Sequence, residues 1–175
     1  LGRFRKILVG HGVPSGRIGD ERSQTSLGIV ASRNVGIAGT ADAAYDLTMK
    51  RLAGRVAAIT GGGSGIGRST AVRFAEEGAT VVTIDLDAKA AAATSEIAEQ
   101  HGGTCAWYES DVSHHEAADE IANDIVERFG SLDVLVTAAG ISVGKTVPDT
   151  LPEEWDDIFA VNVKGTYLWM RASIP

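Results

Sequence analysis

Residues 60–67 read Thr-Gly-Gly-Gly-Ser-Gly-Ile-Gly, and this octet limits what the chain can fold into more than any other stretch. An apolar run, Val56 to Thr60, leads into it, and a helical pattern, Arg68 to Glu77, leaves it. Strand, glycine turn and helix in that order aim backbone N–H groups and the positive end of a helix dipole at one place, which suits an anionic phosphate. Gly61, Gly65 and Gly67 lack a Cβ, so the chain can bend tightly and a pyrophosphate can approach its backbone. Ser64 and Ile66, lying among them, are candidates for the same contact. The spacing is Thr-Gly-x-x-x-Gly-x-Gly, not G-x-G-x-x-G. A different phosphate loop is nearly met as well. Gly62 through Ser69 differs from a P-loop at one position, where Arg68 replaces the lysine. A bare turn that uses glycine only for positive φ is the third reading.

From Arg55 onward strand and helix patterns alternate, which predicts parallel βαβ units. Strands are expected at residues 56–60, 80–84, 104–109 and 133–136. The first helix has Ile66, Thr70 and Phe74 spaced by four on one face and Gly78 as its stop. The second is alanine-rich, Ala88 to Gln100. Ser113-x-x-Glu116 reads as a capping box opening the third, whose inward stripe is Ala118, Ile121, Ile125 and Phe129. Thr150-Leu151-Pro152-Glu153 reads as a second box, opening a fourth helix with Trp155 inward. Right-handed crossovers then give an α/β fold, a Rossmann-type doubly wound parallel sheet of strand order 3-2-1-4, truncated after the fourth helix. The sheet reverses direction between strands one and four, so a ligand crevice is expected over their carboxyl ends. Gly61–Gly67, Asp85, Asp111 and Ala139-Gly140 all fall on that edge.

Asp85 ends the second strand, 18 positions after Gly67, close to the interval at which an acid meets an adenosine ribose. A carboxylate there accepts hydrogen bonds from both ribose hydroxyls and repels a 2′-phosphate, which favours NAD over NADP. The alternative is that Asp85 starts a turn or caps the next helix, as Asp87 can.

With these features in order, the chain from about Met49 onward resembles the short-chain dehydrogenase/reductase family. The resemblance implies an oxidoreductase that transfers hydride between NAD and an alcohol or carbonyl carbon. It places the adenine at Asp111-Val112 and sets Ala139-Gly140 where the family has Asn-Asn-Ala-Gly. It makes Asn162 the asparagine of the catalytic tetrad, holding a water in a proton relay to a lysine. It also implies a small-molecule substrate and a homo-oligomer. Two departures stand out. Thr137-Ala138 replaces the first two asparagines, and no Tyr-x-x-x-Lys occurs, since Tyr45, Tyr108 and Tyr167 are followed four positions on by Met49, Val112 and Arg171. The expectation is an amino-terminal fragment of an enzyme, without turnover of its own and with an uncovered fourth strand. A noncatalytic NAD-binding module is the alternative. Read from its own surroundings alone, Asn162 is an amide satisfied by local backbone.

Net charge of −7 disfavours nonspecific binding to nucleic acid or anionic membranes, and no apolar run approaches spanning length. The single Cys105 forms no intrachain disulfide, which points to a reducing compartment such as the cytoplasm. His114 and His115 are adjacent and diverge on a helix, and no metal-ligand spacing occurs. His101 lies beside a glycine stop at the end of the second helix. Residues 1–48 are rich in Gly, Arg and Ser without apolar period, and are expected to be a disordered or non-native extension ahead of an NAD-binding domain at 49–175.

Overall fold

The computed structural model describes residues 50–174, so the expectation for residues 1–48 lies outside the described residues. Four parallel strands, β1 (Val56–Thr60), β2 (Thr80–Asp85), β3 (Thr104–Glu109) and β4 (Val134–Thr137), form one sheet in the order β3-β2-β1-β4. Helices α1 (Gly65–Glu76), α2 (Ala88–Gln100) and α3 (His115–Phe129) make the crossovers. The last helical stretch is composite: α4 (Pro152–Phe159), a π-helical segment (Ala160–Gly165) and α5 (Thr166–Ser173).

All five residues of β1 are buried, because helices cover both faces of the sheet. Successive side chains divide between two cores. Val56, Ala58, Val82, Ile84, Ala106 and Tyr108 face α3 and α5, where Ile121, Ile125, Leu168 and Trp169 complete the packing. Ile59 and Val81 face α1 and α2, against Ala71, Ala75 and Ala98. Hydroxyls are admitted to the interior only with partners. The Thr83 hydroxyl donates to the Ala91 carbonyl at 3.0 Å and meets the Ser95 hydroxyl at 3.0 Å, tying α2 onto β2.

Several local expectations change. Helix α1 begins at Gly65, inside the glycine turn, and its buried face is Gly67, Ala71 and Ala75; Ile66 is 80% exposed. Small residues let α1 lie close on the sheet, which outweighs the larger side chains at spacing four. The Ser113 box does not form. Ser113 donates its N–H and its hydroxyl to Asp111 Oδ1, at 2.9 and 2.7 Å, because a carboxylate two residues back is the stronger acceptor. Helix α3 therefore starts at His115, with the stripe Ala118, Ile121, Ile125 and Phe129 facing the core as expected. The second box shifts by one residue. Pro152, with φ fixed and no N–H, takes the first helical position, so Leu151 becomes the cap and Glu154, not Glu153, accepts its N–H at 3.0 Å. Trp155 is not inward: it is half exposed and stacks on Phe159 at 4.7 Å.

The lead into β1 is fastened to the far end of α1. Glu77 accepts from the Arg51 backbone N–H at 3.1 Å and from the Arg51 and Arg73 guanidinium groups at 2.7 and 2.5 Å. The Arg51 hydrogen bonds hold its carboxyl down at about 2. On the other side β4 has no strand partner beyond β1 among the described residues, and a hollow of about 290 Å³ runs along it, lined by Leu135, Met170 and Ile174 among others.

A carboxyl depressed in the folded state contributes stability that is full above its unfolded value near 4.5 and is lost as pH falls through the folded value of about 2. The variant Glu77→Gln is therefore expected to unfold at lower urea concentration than wild type at pH 6. The gap should close progressively as the titration is repeated from pH 5 towards pH 2.

Candidate dinucleotide site

The carboxyl ends of β1, β2 and β4 converge on the glycine turn. Its N–H at Gly62 donates to the Ile84 carbonyl at 3.1 Å, continuing the pairing of β1 with β2 two residues past the end of β1. Gly61 has φ +65° and lies directly on the end of β4, where a Cβ would come within 2.5 Å of the Ala139 nitrogen. Gly67 is tighter still: a Cβ there would stand 2.1 Å from the Gly61 carbonyl oxygen. These two glycines let β1, α1 and β4 meet at one point. Gly65 differs. Its φ is +49°, and a Cβ there would meet no protein atom, so the backbone faces open space. The N–H groups of Gly65, Ile66 and Gly67 form the first turn of α1 and have no partner within the helix. Ser64 caps the helix without a side-chain bond, leaving its hydroxyl exposed beside them. Open space, free donors and a helix N-terminus fit a pyrophosphate.

Asp85 stands beside the turn. Its Oδ2 accepts from the Gly63 N–H at 2.8 Å and its Oδ1 from the Asp87 N–H at 3.0 Å. The two backbone bonds fix its direction. Asp87 caps α2, accepting from the N–H groups of Lys89 and Ala90. Asp85 thus starts a turn through its bond to the Asp87 N–H, and the cap of α2 falls to Asp87. Asp111 follows β3 and organises the turn into α3. Val112 is buried, with its side chain against Gly165, where a Cβ would come within 2.8 Å of Cγ2.

Asn162 sits in the π-helical segment, where the wider winding presents its amide to the loop after β4. Its Oδ1 accepts from the Ile141 N–H at 2.9 Å and its Nδ2 donates to the Ile141 carbonyl at 3.0 Å. Gly140 lies directly beneath, its Cβ position 3.3 Å from Asn162 Oδ1. The amide is satisfied by backbone 21 residues away, not by the local backbone that its own surroundings suggested. Thr166 donates its hydroxyl to the Asn162 carbonyl at 2.9 Å, a bond made within the same helical stretch.

Three residues contribute through contacts that the sequence did not show. Thr60 accepts from the Ala138 N–H through its carbonyl at 3.1 Å and lies 3.5 Å from the Ala139 nitrogen through its hydroxyl. Lys145 pairs with Glu154 at 2.5 Å and draws the loop after β4 onto the start of α4; that bond and the Leu151 N–H hold the Glu154 carboxyl below the usual range. Arg68 turns its guanidinium onto the Gly63 carbonyl and the Thr94 hydroxyl. A cation in the first turn of a helix opposes the dipole, and that misfit was the available signal. The side chain is committed to the protein, so it does not substitute for the phosphate-binding lysine of a P-loop. Among the described residues there is no group of His, Cys, Asp and Glu able to hold a metal, and no helix long and apolar enough to cross a membrane.

Comparison with known proteins agrees with this geometry. Residues 55–175 match the family described as short chain dehydrogenase. An uncharacterised oxidoreductase of Thermotoga maritima is 40% identical over 121 residues, which are 69% of this chain and 47% of that protein. Glucose 1-dehydrogenase 2 of Bacillus subtilis is 36% identical over 127 residues, 71% of this chain and 49% of the relative. Carveol dehydrogenase from Mycobacterium avium, solved in complex with NAD, superposes with a TM-score of 0.68 at 30% identity, over 71% of this chain and 50% of that one. An NAD+-bound xylitol dehydrogenase superposes with a TM-score of 0.68 at 28% identity, over 70% and 48% of the two chains. The chain belongs to the short-chain dehydrogenase/reductase family. It spans about half the length of the curated relatives it matches.

Replacing Asn162 by Ala removes both bonds to Ile141, at a cost of about 1 kcal/mol each. Amide exchange at Ile141 is expected to accelerate at least tenfold while exchange in β1 follows only the global loss. Exchange at Ile141 that tracks β1 would show that the amide does not hold this loop.

Proposed function

We propose that the protein is an NAD-dependent oxidoreductase that moves hydride between NAD(H) and an alcohol or carbonyl substrate, and that this chain carries its cofactor half. One observation supports the reading most. The Asp85 carboxylate and the partnerless N–H groups of Gly65, Ile66 and Gly67 flank the same turn, so a single dinucleotide could meet an acid with its ribose and donors with its pyrophosphate. Asp111 and the Val112 backbone would receive the adenine, and Ala139-Gly140 with Asn162 would line the side towards the nicotinamide. A carboxylate at Asp85 repels a 2′-phosphate, which favours NAD over NADP. The hydride step also needs a proton donor to the substrate oxygen. The Tyr-x-x-x-Lys pair that would supply it in this family is not among these 175 residues, so residues 1–175 by themselves are not expected to turn over. A noncatalytic NAD-binding module would share the same cofactor contacts, and turnover by the full chain separates the two. The lone cysteine favours a reducing compartment, and we place the protein in the cytoplasm on that ground.

Calorimetry on the full chain is expected to give NADH binding that is at least tenfold tighter than NADPH. Asp85→Ala should weaken NADH and erase the preference. Equal affinity for the two cofactors in wild type would contradict the ribose role of Asp85.

We also propose that the protein self-associates through the outer face of the last helical stretch. Leu151, Trp155, Phe159, Val163 and Tyr167 recur every four residues, and the last four are 51%, 44%, 55% and 55% exposed. In an α-helix each step of four turns the face by about 40°. The wider π-helical turn takes back part of that drift, so the stripe stays on one side. It borders a hollow of about 470 Å³ lined by Phe159, Val163 and Tyr167 among others. The charged variant Val163→Glu is expected to lower the oligomeric state in sedimentation. An unchanged state would place the contact elsewhere.

A further inference from the structure

We propose that Arg68 is a positioning residue for the dinucleotide: with Asp85 it clamps Gly63 from both sides and holds the glycine turn in the shape that receives a pyrophosphate. The inference rests on the NAD reading above. Arg68 Nη2 donates to the Gly63 carbonyl at 2.5 Å, and Nε donates to Thr94 Oγ1 at 3.1 Å. Thr94 is fully buried in α2, so the guanidinium is anchored to a fixed element. From the other side Asp85 Oδ2 accepts from the Gly63 N–H at 2.8 Å. Both polar groups of one backbone residue are therefore held by charged side chains from different elements.

Peptide planarity carries the effect forward. Fixing the Gly63 carbonyl fixes the plane of the Gly63–Ser64 peptide, and with it the direction of the Ser64 N–H. Fixing the Gly63 N–H does the same for the preceding peptide. The residue between has no room to adjust, since a Cβ at Gly63 would lie 2.7 Å from Ala90 Cβ and 2.8 Å from Asp85 Oδ2. The acid expected to meet the ribose is thus also a support of the phosphate turn, and the two halves of recognition are joined at Gly63. Preorganised donors bind more tightly because the ordering is already done before the ligand arrives.

The test compares wild type, Arg68→Gln and Thr94→Val in the full chain, with ADP-ribose, NADH and adenosine as probes. Arg68→Gln is expected to weaken ADP-ribose and NADH by about tenfold and to leave adenosine, which has no pyrophosphate, unchanged. Thr94→Val should weaken the same two ligands by less. The double variant should be no weaker than Arg68→Gln, because both changes break one linkage. In the ligand-free protein, amide exchange at Ser64 and Gly65 should quicken in each variant. Equal loss for adenosine and ADP-ribose, additive losses, or unchanged exchange at Ser64 would each overturn the clamp. If Arg68→Gln does not fold, Thr94→Val carries the same comparisons. If wild type binds neither NADH nor ADP-ribose, the cofactor reading fails, while exchange at Ser64 still decides the clamp.

Discussion

The approach of α1 to the end of β1 is the constraint on which the site depends. A methyl group at Gly67 would sit 2.1 Å from the Gly61 carbonyl oxygen, a separation no pair of atoms tolerates. With hydrogen there instead, the first turn of α1 lies over the carboxyl end of the sheet and its unpaired N–H groups gather beside β2 and β4. Gly61 plays the matching part towards the Ala138–Ala139 backbone. Two missing side chains therefore decide where a helix dipole points. The acid of β2 gains its importance only because the turn has been brought beside it.

The same close packing explains why alanine dominates one core. Ala71, Ala75 and Ala98 bury little area each, but they allow α1 and α2 to settle near the sheet and keep Gly67 in contact. The opposite core carries the bulk, with Ile121, Ile125, Leu168 and Trp169 filling a deeper space. The thin layer thus positions the crevice at the carboxyl end of the sheet, and the thick layer supplies most of the apolar burial that stabilises the domain.

How far the sequence revealed this depended on the range of the interactions involved. Strands β1 and β3 and helix α2 were readable to the residue, because alternating and alanine-rich patterns ended at glycine or an acid cap. The order β3-β2-β1-β4 followed from right-handed crossovers together with the doubly wound pattern. Capping was misread where two acceptors competed. Asp111 outbid Glu116 for Ser113, and Pro152 moved the start of α4 by one residue. The inward position given to Trp155 failed for a different reason. Trp155 lies with Phe159 on an apolar stripe that is half exposed, and the sequence pattern alone does not tell such a stripe from one that faces the core. Site residues announced by type, Gly61, Gly67 and Asp85, came together as read. The contacts of Arg68 on Gly63 and of Asn162 on Ile141 could not be seen before the chain was folded.

Asn162 shows how a helix irregularity can aim a side chain at a loop. A regular α-helix would keep winding at 100° per residue and carry the amide away from the loop after β4. The π-helical segment holds it facing Ile141, where two bonds fix both backbone groups of one residue. Gly140, immediately before, has no side chain to interfere. The loop that leaves β4 is thereby pinned on its inner side by Asn162 and on its outer side by the Lys145–Glu154 pair. Gly63 is held by an equivalent two-sided arrangement on the opposite side of the crevice. Both walls of the crevice are thus loops whose backbone is fixed by side chains from neighbouring helices and strands. Such a cleft can present a rigid outline to a dinucleotide even though no regular element lines it along its whole length.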